Sequence, residues 1–137
     1  KKEDSARAAW FAPLSRGMGV EASLIPTLTL ALDAMGGDHA PESVVEGAAL
    51  VAAQAQTALQ IMPGQSPPPI HFLFFGDEPR LSALTARYPG LAGRFSLQHC
   101  ATAIRADEKP SVAVRQGKGS SMWEAVAAVR DGRAQAV

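Results

Sequence analysis

Residues 28–42 read Leu-Thr-Leu-Ala-Leu-Asp-Ala-Met-Gly-Gly-Asp-His-Ala-Pro-Glu, and no other stretch limits the fold of this chain as strongly. Leu28, Leu30 and Leu32 alternate with smaller residues, the period of a strand, and Asp33 closes the run. Gly36 and Gly37 then free the backbone from side-chain sterics. Asp38 is placed to cap a helix that Pro41 opens, because proline fits the first helical turn. A strand, a glycine turn and a helix start therefore follow one another directly, as in an α/β domain. Such a turn aims backbone N–H groups and the positive end of a helix dipole at one spot, where a small anion fits. The same spacing also describes an ordinary strand-to-helix turn.

The rest of the chain repeats the alternation. Residues 41–56 place Val44, Val45, Ala48, Ala49, Val51 and Ala52 at helical spacings. Residues 58–69 read as a loop ending in three prolines, a stiff extended connector. Ile70 to Phe75 is nearly all apolar, as expected of a parallel strand covered on both faces. His71 within it reads as a packed or strand-end histidine, since no second metal-ligand candidate lies at a useful spacing. Asp77 caps a second helix running to about Arg87, and Tyr88-Pro89-Gly90 ends it. A third strand covers residues 95–100. A loop, a short helix at 110–115 and a helix from Met122 to about Arg130 follow, and Ala134 begins a fourth strand. This order predicts a parallel sheet with helices on both faces, with ligands collecting beyond the carboxyl ends of the strands.

Bulk properties narrow the class. The chain has 137 residues, 47% hydrophobic and 19% charged, which suits one globular domain. The formal net charge is zero, so nothing in the global balance points to nucleic acid. Charge is nonetheless uneven: residues 28–90 carry two arginines against six acids, and residues 105–137 carry six basic residues against four acids. The carboxy-terminal part is the better place for an anion or an acidic partner. The single cysteine, Cys100, reads as a buried structural thiol in a reducing compartment. No run approaches the ~18 apolar residues of a membrane span, and no signal peptide opens the chain, so the expected location is cytoplasmic. Residues 1–26 read as a flexible extension ahead of a domain at 27–137. The chain opens without methionine and ends inside an apolar run, both expected of a piece of something longer.

A second stretch carries chemistry. Residues 109–122 read Lys-Pro-Ser-Val-Ala-Val-Arg-Gln-Gly-Lys-Gly-Ser-Ser-Met. Lys109, Arg115 and Lys118 bring positive charge, Gly117 and Gly119 allow close backbone approach, and Ser120 and Ser121 offer hydroxyls at a helix start. Ammonium, hydroxyl and amide donors together make a phosphate cradle. The alternative is a solvated basic turn in which a serine merely caps the helix. Either serine can be that cap, and Glu124 completes a capping box if it is Ser121. The glycine spacing is not that of a P-loop, and a Gly-x-Ser-x-Gly nucleophile elbow is absent.

Together, Leu30-Ala-Leu-Asp-Ala-Met-Gly-Gly-Asp-His-Ala-Pro-Glu42 and Lys109-Pro-Ser with Arg115 and Lys118-Gly-Ser-Ser-Met122 closely resemble the bacterial phosphate acyltransferase (PlsX) family. The resemblance covers about residues 27–137. It implies a Rossmann-like three-layer α/β/α sandwich with a mostly parallel sheet, like that of the isocitrate and isopropylmalate dehydrogenases, here incomplete. It implies transfer of a fatty acyl group from acyl carrier protein to inorganic phosphate, giving acyl phosphate for phospholipid synthesis. It calls for no cofactor and no metal, and it implies a homodimer held peripherally at the membrane. On this reading Asp38, His39, Lys118 and Ser121 are the catalytic candidates. Asp33, Gly36, Gly37, Lys109, Arg115, Ser120 and Met122 bind phosphate or substrate. The family's glycine- and asparagine-rich loop, which follows the fourth strand, is not in this chain, so the segment alone is expected to be inactive. Rival readings are a phosphate acetyltransferase or dehydrogenase of similar fold, and a non-catalytic anion- or nucleotide-binding module.

Overall fold

The computed structural model describes residues 26–61, 68–104 and 117–137. Three strands, β1 (Leu28–Asp33), β2 (Ile70–Gly76) and β3 (Phe95–His99), form a parallel sheet in the order β1-β2-β3. Helix α1 (Glu42–Ile61) joins β1 to β2. Helix α2 (Glu78–Thr85) and a 3-10 turn (Pro89–Leu91) join β2 to β3, and helix α3 (Ser121–Arg130) follows β3. After α3 the chain returns to the free side of β1. The Ala31 amide donates to the Ala136 carbonyl (2.8 Å), and the Gln135 amide donates to Thr29 O (2.9 Å). Ala136 makes a parallel bridge with Leu30, so a fourth strand is begun there as one bridge rather than a full ladder. The spatial order is thus 3-2-1-4, reversing direction at β1.

Alternating side chains divide the core into two layers, because successive strand residues point to opposite faces. Phe72 and Phe74 meet Val45, Ala48 and Ala52 of α1 and Leu81 and Leu84 of α2 on one face. Ala31 and Phe75 meet Ala125 and Ala128 of α3 on the other, with Cys100 and Ala134. The small residues on α1 and α3 let both helices lie close to the sheet. This is an incomplete Rossmann-like α/β domain.

Some boundaries differ from those read in the sequence. Helix α1 runs to Ile61 rather than ending near Gln56, because Ala and Gln continue a helix well and no breaker precedes Pro63. Asp77 caps α2 as expected, accepting from the Arg80 amide at 3.3 Å. Asp38 does not cap α1 among the described residues. The Ser43 amide donates to His39 O (3.0 Å) and the Val45 amide to Pro41 O (3.1 Å), so a backbone turn starts the helix instead. The short helix expected at 110–115 lies outside the described residues, as do residues 1–25 of the expected extension. His71 is a half-buried strand residue whose Nε2 lies 2.9 Å from Ser96 Oγ on β3.

Arg80 ties the starts of the first two helices together, its guanidinium donating to both Glu42 carboxylate oxygens at 2.8 and 3.1 Å. That hydrogen bond holds the Glu42 carboxyl below its ordinary value. The pair's contribution is therefore present near neutral pH and is lost as pH falls through the lowered value. Both side chains are about half exposed, so the contribution is small.

Candidate functional site

The carboxyl ends of the parallel strands bring the two chemically suggestive stretches to one edge of the sheet. At the end of β1 the Asp33 side chain bends over its own turn. Its Oδ1 accepts from the Met35 amide at 3.1 Å. Gly36 sits beneath the carboxylate: a Cβ there would come within 2.6 Å of Asp33 Oδ2. Gly37 has φ of +92°, a left-handed conformation that favours glycine. Asp38 and His39 follow on the surface. The Met35 side chain lies across Gly76 at the end of β2, where an added Cβ would meet its Cγ at 2.8 Å.

At the end of β3, Thr102 makes a parallel bridge with Ser120. The Ser121 amide donates to Thr102 O at 3.0 Å, and the Thr102 hydroxyl donates to Gly119 O at 3.4 Å. These bonds pin the amino terminus of α3 to the carboxyl edge of the sheet. Gly119, at φ +83°, turns the chain sharply into the helix. Lys118 stands exposed on this turn.

Tertiary packing decides between the two serines. Ser120 is the cap, its Oγ accepting from the Trp123 amide at 3.3 Å. With Ser120 in that role the box between Ser121 and Glu124 does not form. Ser121 becomes the first helical residue, fully buried, and its hydroxyl is left without a partner. Buried hydroxyls are nearly always satisfied, so an orphan at a helix amino terminus is a feature to be explained. The two serines should therefore respond differently to truncation. Ser120→Ala is expected to lower stability by about 1 kcal/mol through loss of the cap. Ser121→Ala is expected to leave stability within about 0.5 kcal/mol, since it removes an unsatisfied group rather than a bond. Urea denaturation of the two variants checks this, and equal losses would contradict it.

Cys100 lies between the two stretches, buried beside Phe75 and Ala125. Burial pushes its thiol above the ordinary value, and the carboxylates of Glu124 and Asp33 push in the same direction. The thiol is thus protonated at neutral pH and packs as a small apolar group, as read from the sequence. Ala31 of β1 and Ala125 of α3 pack in one layer with this cysteine, so the strand that leads into the first stretch and the helix that follows the second meet here.

The sequence candidates sort accordingly. Asp33, Gly36, Gly37, Asp38 and His39 lie on the β1 side of the edge, and Lys118, Ser120, Ser121 and Met122 on the α3 side. Lys109 and Arg115 lie outside the described residues. Thr102, which anchors α3, was not singled out in the sequence; a threonine after a strand carries no motif that marks it. Among the described residues no group of three or more His, Cys, Asp or Glu could hold a metal ion. No helix among them is long and apolar enough to cross a membrane. A groove of about 250 Å³ lined by Thr85, Tyr88, Pro89 and Phe95 lies by the amino end of β3, the far end of that strand from Cys100, and takes no part in this edge.

Comparison with known proteins gives these features a context. Residues 28–137 match the family model described as fatty acid synthesis protein. The chain is 46% identical over 110 residues to the phosphate acyltransferase of Caulobacter vibrioides, which covers 80% of this chain and 27% of that protein. It is 44% identical over 108 residues to the phosphate acyltransferase of Phenylobacterium zucineum, covering 79% and 27% respectively. With that of Rhodospirillum rubrum it shares 39% identity over 111 residues, covering 81% and 28%. The chain therefore spans little more than a quarter of the length of these curated relatives.

Proposed function

We propose, from the premise that the chain belongs to the fatty acid synthesis protein family, that the full-length protein carrying it transfers a fatty acyl group from acyl carrier protein to inorganic phosphate. In this reading the segment supplies the phosphate side of the site. The observation that supports it is the pinning of the α3 amino terminus, with its orphan Ser121 hydroxyl, to the carboxyl edge of the sheet. The segment's relatives named above are phosphate acyltransferases.

The reaction needs little covalent chemistry from the protein. A phosphate oxygen attacks the thioester carbonyl, a C–O bond forms, the C–S bond breaks, and the carrier thiol leaves with a proton. Phosphate is already nucleophilic near neutral pH, so catalysis is positioning and charge stabilisation. Lys118, the Ser121 hydroxyl and the Met122 amide at the start of α3 hold phosphate against the dipole. They also offset the carboxylates of Asp33 and Glu124 nearby. Gly36 and Gly37 form the opposing wall, with the Asp33 carboxylate lying where a Gly36 Cβ would stand. Asp38 and His39 orient groups or carry the proton, Lys109 adds charge to the phosphate, and Arg115 meets the acidic surface of acyl carrier protein. A homodimer and a peripheral membrane contact belong to the same proposal, through parts of the protein beyond this segment.

The test is direct. Full-length protein is incubated with acyl-acyl carrier protein and phosphate, and acyl phosphate is trapped with hydroxylamine. Lys118→Ala and Ser121→Ala are each expected to raise the phosphate KM about ten- to a hundredfold, the value of a hydrogen bond to a charged group at ~1.5–3 kcal/mol. Wild-type KM and turnover in both variants would remove the cradle. Absence of product from the unmodified protein, with tight nucleotide binding instead, would favour a non-catalytic binding module.

A further inference from the structure

The carboxyl edge of the sheet carries a histidine that the phosphate side of the site does not use. His99 is the last residue of β3, and its register partner on β2 is Gly76. Successive strand residues point to opposite faces, so Cys100 turns toward α3 and His99 toward the layer of α1 and α2. The imidazole leans over β2, toward the middle of the sheet. Its Nδ1 accepts from the Glu78 amide at 3.4 Å, and Glu78 opens α2 two residues after Gly76. His71, by contrast, stands near the amino end of β2 with its Nε2 against Ser96 Oγ.

Gly76 brings the β1 turn to the same place. An added Cβ there would meet Met35 Cγ at 2.8 Å and Sδ at 3.0 Å, so the Met35 side chain lies against this glycine. Met35 precedes Gly36 and Gly37, and His99 is the neighbour of Gly76 on the other strand. The phosphate side is close as well. Thr102, three residues after His99, accepts the Ser121 amide at 3.0 Å. Three residues of chain span at most about 11 Å. His99 is therefore a near neighbour of both walls of the proposed site.

The bond to Glu78 fixes which ring nitrogen carries hydrogen. The amide donates and Nδ1 accepts, so the proton of this imidazole is on Nε2. Among the described residues Nε2 has no hydrogen-bond partner, and the residue is exposed. An imidazole held in this way at a helix amino terminus acts as an electrophile, polarising a carbonyl through its remaining N–H. The reaction proposed above leaves the thioester carbonyl oxygen without a donor, although charge develops there when phosphate attacks. We infer that His99 is a catalytic residue of that reaction, its Nε2–H donating to the carbonyl oxygen and holding the developing charge. This role rests on the acyl-transfer reading. An oxygen of hydrogen phosphate bonds to the carbonyl carbon, and the C=O electron pair moves onto the oxygen facing Nε2. The pair returns as the C–S bond breaks. The proton that leaves with the carrier thiol comes from the hydrogen phosphate, and the Nε2 proton stays in place. The Glu78 amide keeps the ring oriented throughout.

Steady-state kinetics of the full-length protein test this role. His99→Ala and His99→Gln are assayed with acyl-acyl carrier protein and phosphate for hydroxylamine-trappable acyl phosphate, and the urea midpoint of each is measured. Removing one oxyanion donor costs about 100- to 1000-fold in kcat, and His99→Ala is expected to lose that much. Its phosphate KM is expected to stay within about twofold of the unmodified protein, with the urea midpoint unchanged. Gln carries an amide N–H near the position of Nε2 and is expected to recover at least about tenfold over Ala. A rise in phosphate KM in place of the fall in kcat would overturn the inference. Lost activity with a lowered urea midpoint in both variants would make His99 a structural tie between β3 and α2, and would also overturn it. If the unmodified protein forms acyl phosphate and His99→Ala keeps its kcat, the role of His99 falls alone. If the unmodified protein forms none, the acyl-transfer reading falls and the role of His99 with it.

Discussion

Phe74→Ala is expected to destabilise the protein by about 3–5 kcal/mol, the largest effect of any single truncation in this segment. Phe74 is fully buried on the central strand. Its ring centroid lies 6.2 Å from that of Phe72, nearly stacked, and 6.2 Å from that of Phe95, edge to face. It also packs in the layer that seats α1 and α2, with Val45, Ala48 and Leu81. Removing the ring loses its transfer free energy and leaves a cavity among elements that are fixed by the sheet and cannot collapse onto it. A domain of this size has roughly 5–15 kcal/mol to lose, so the variant would sit near the folding threshold. Urea denaturation reads the effect as a lower midpoint with an unchanged slope. A loss under about 1 kcal/mol would mean that the two helices do not depend on this aromatic cluster.

Gly36→Val is expected to act on function more than on stability. A Cβ at this position would fall 2.6 Å from Asp33 Oδ2 and 3.1 Å from its Cγ. The carboxylate must swing away and give up its bond to the Met35 amide, which shifts the turn that lines the proposed phosphate site. Acyl-phosphate formation is expected to fall by about 100-fold, the usual consequence of a displacement near 1 Å at a reacting centre. Gly37→Ala separates close approach from backbone strain. A Cβ there meets nothing within 4 Å, but φ is +92°. It is expected to cost about 1–2 kcal/mol of stability with a smaller loss of activity. Wild-type activity in Gly36→Val would show that the β1 turn does not line the site.

Much of the fold was legible because its signals are local. The alternation of Leu28, Leu30 and Leu32, the near-continuous apolar run of β2 and the helical spacing of Val45, Ala48 and Ala52 each report an element without reference to the others. Asp77 was readable as a cap because a polar residue just before a proline-opened helix has few other uses. The start of α1 was not readable in the same way. Asp38 has the right type and spacing, but the turn between Gly37 and Pro41 satisfies the first amides of the helix through His39 and Pro41 carbonyls. The end of α1 was also missed: it was placed near Gln56, although the first breaker after it is Pro63.

The sequence by itself determined the chemistry available: two glycine-rich turns, a lysine, paired serines and apolar strands between them, in an order that demands a parallel sheet. It left the cap open between Ser120 and Ser121, since either suits that role and Glu124 completes a capping box if Ser121 takes it. The tertiary structure decided between them. The bridge from Thr102 to Ser120 and the bond from the Ser121 amide to Thr102 O fix the register of α3 against the end of β3. That register gives the cap to Ser120 and buries the Ser121 hydroxyl without a partner. Residues 18 positions apart in the chain set this choice, and a long-range contact of that kind leaves no periodic trace in a sequence.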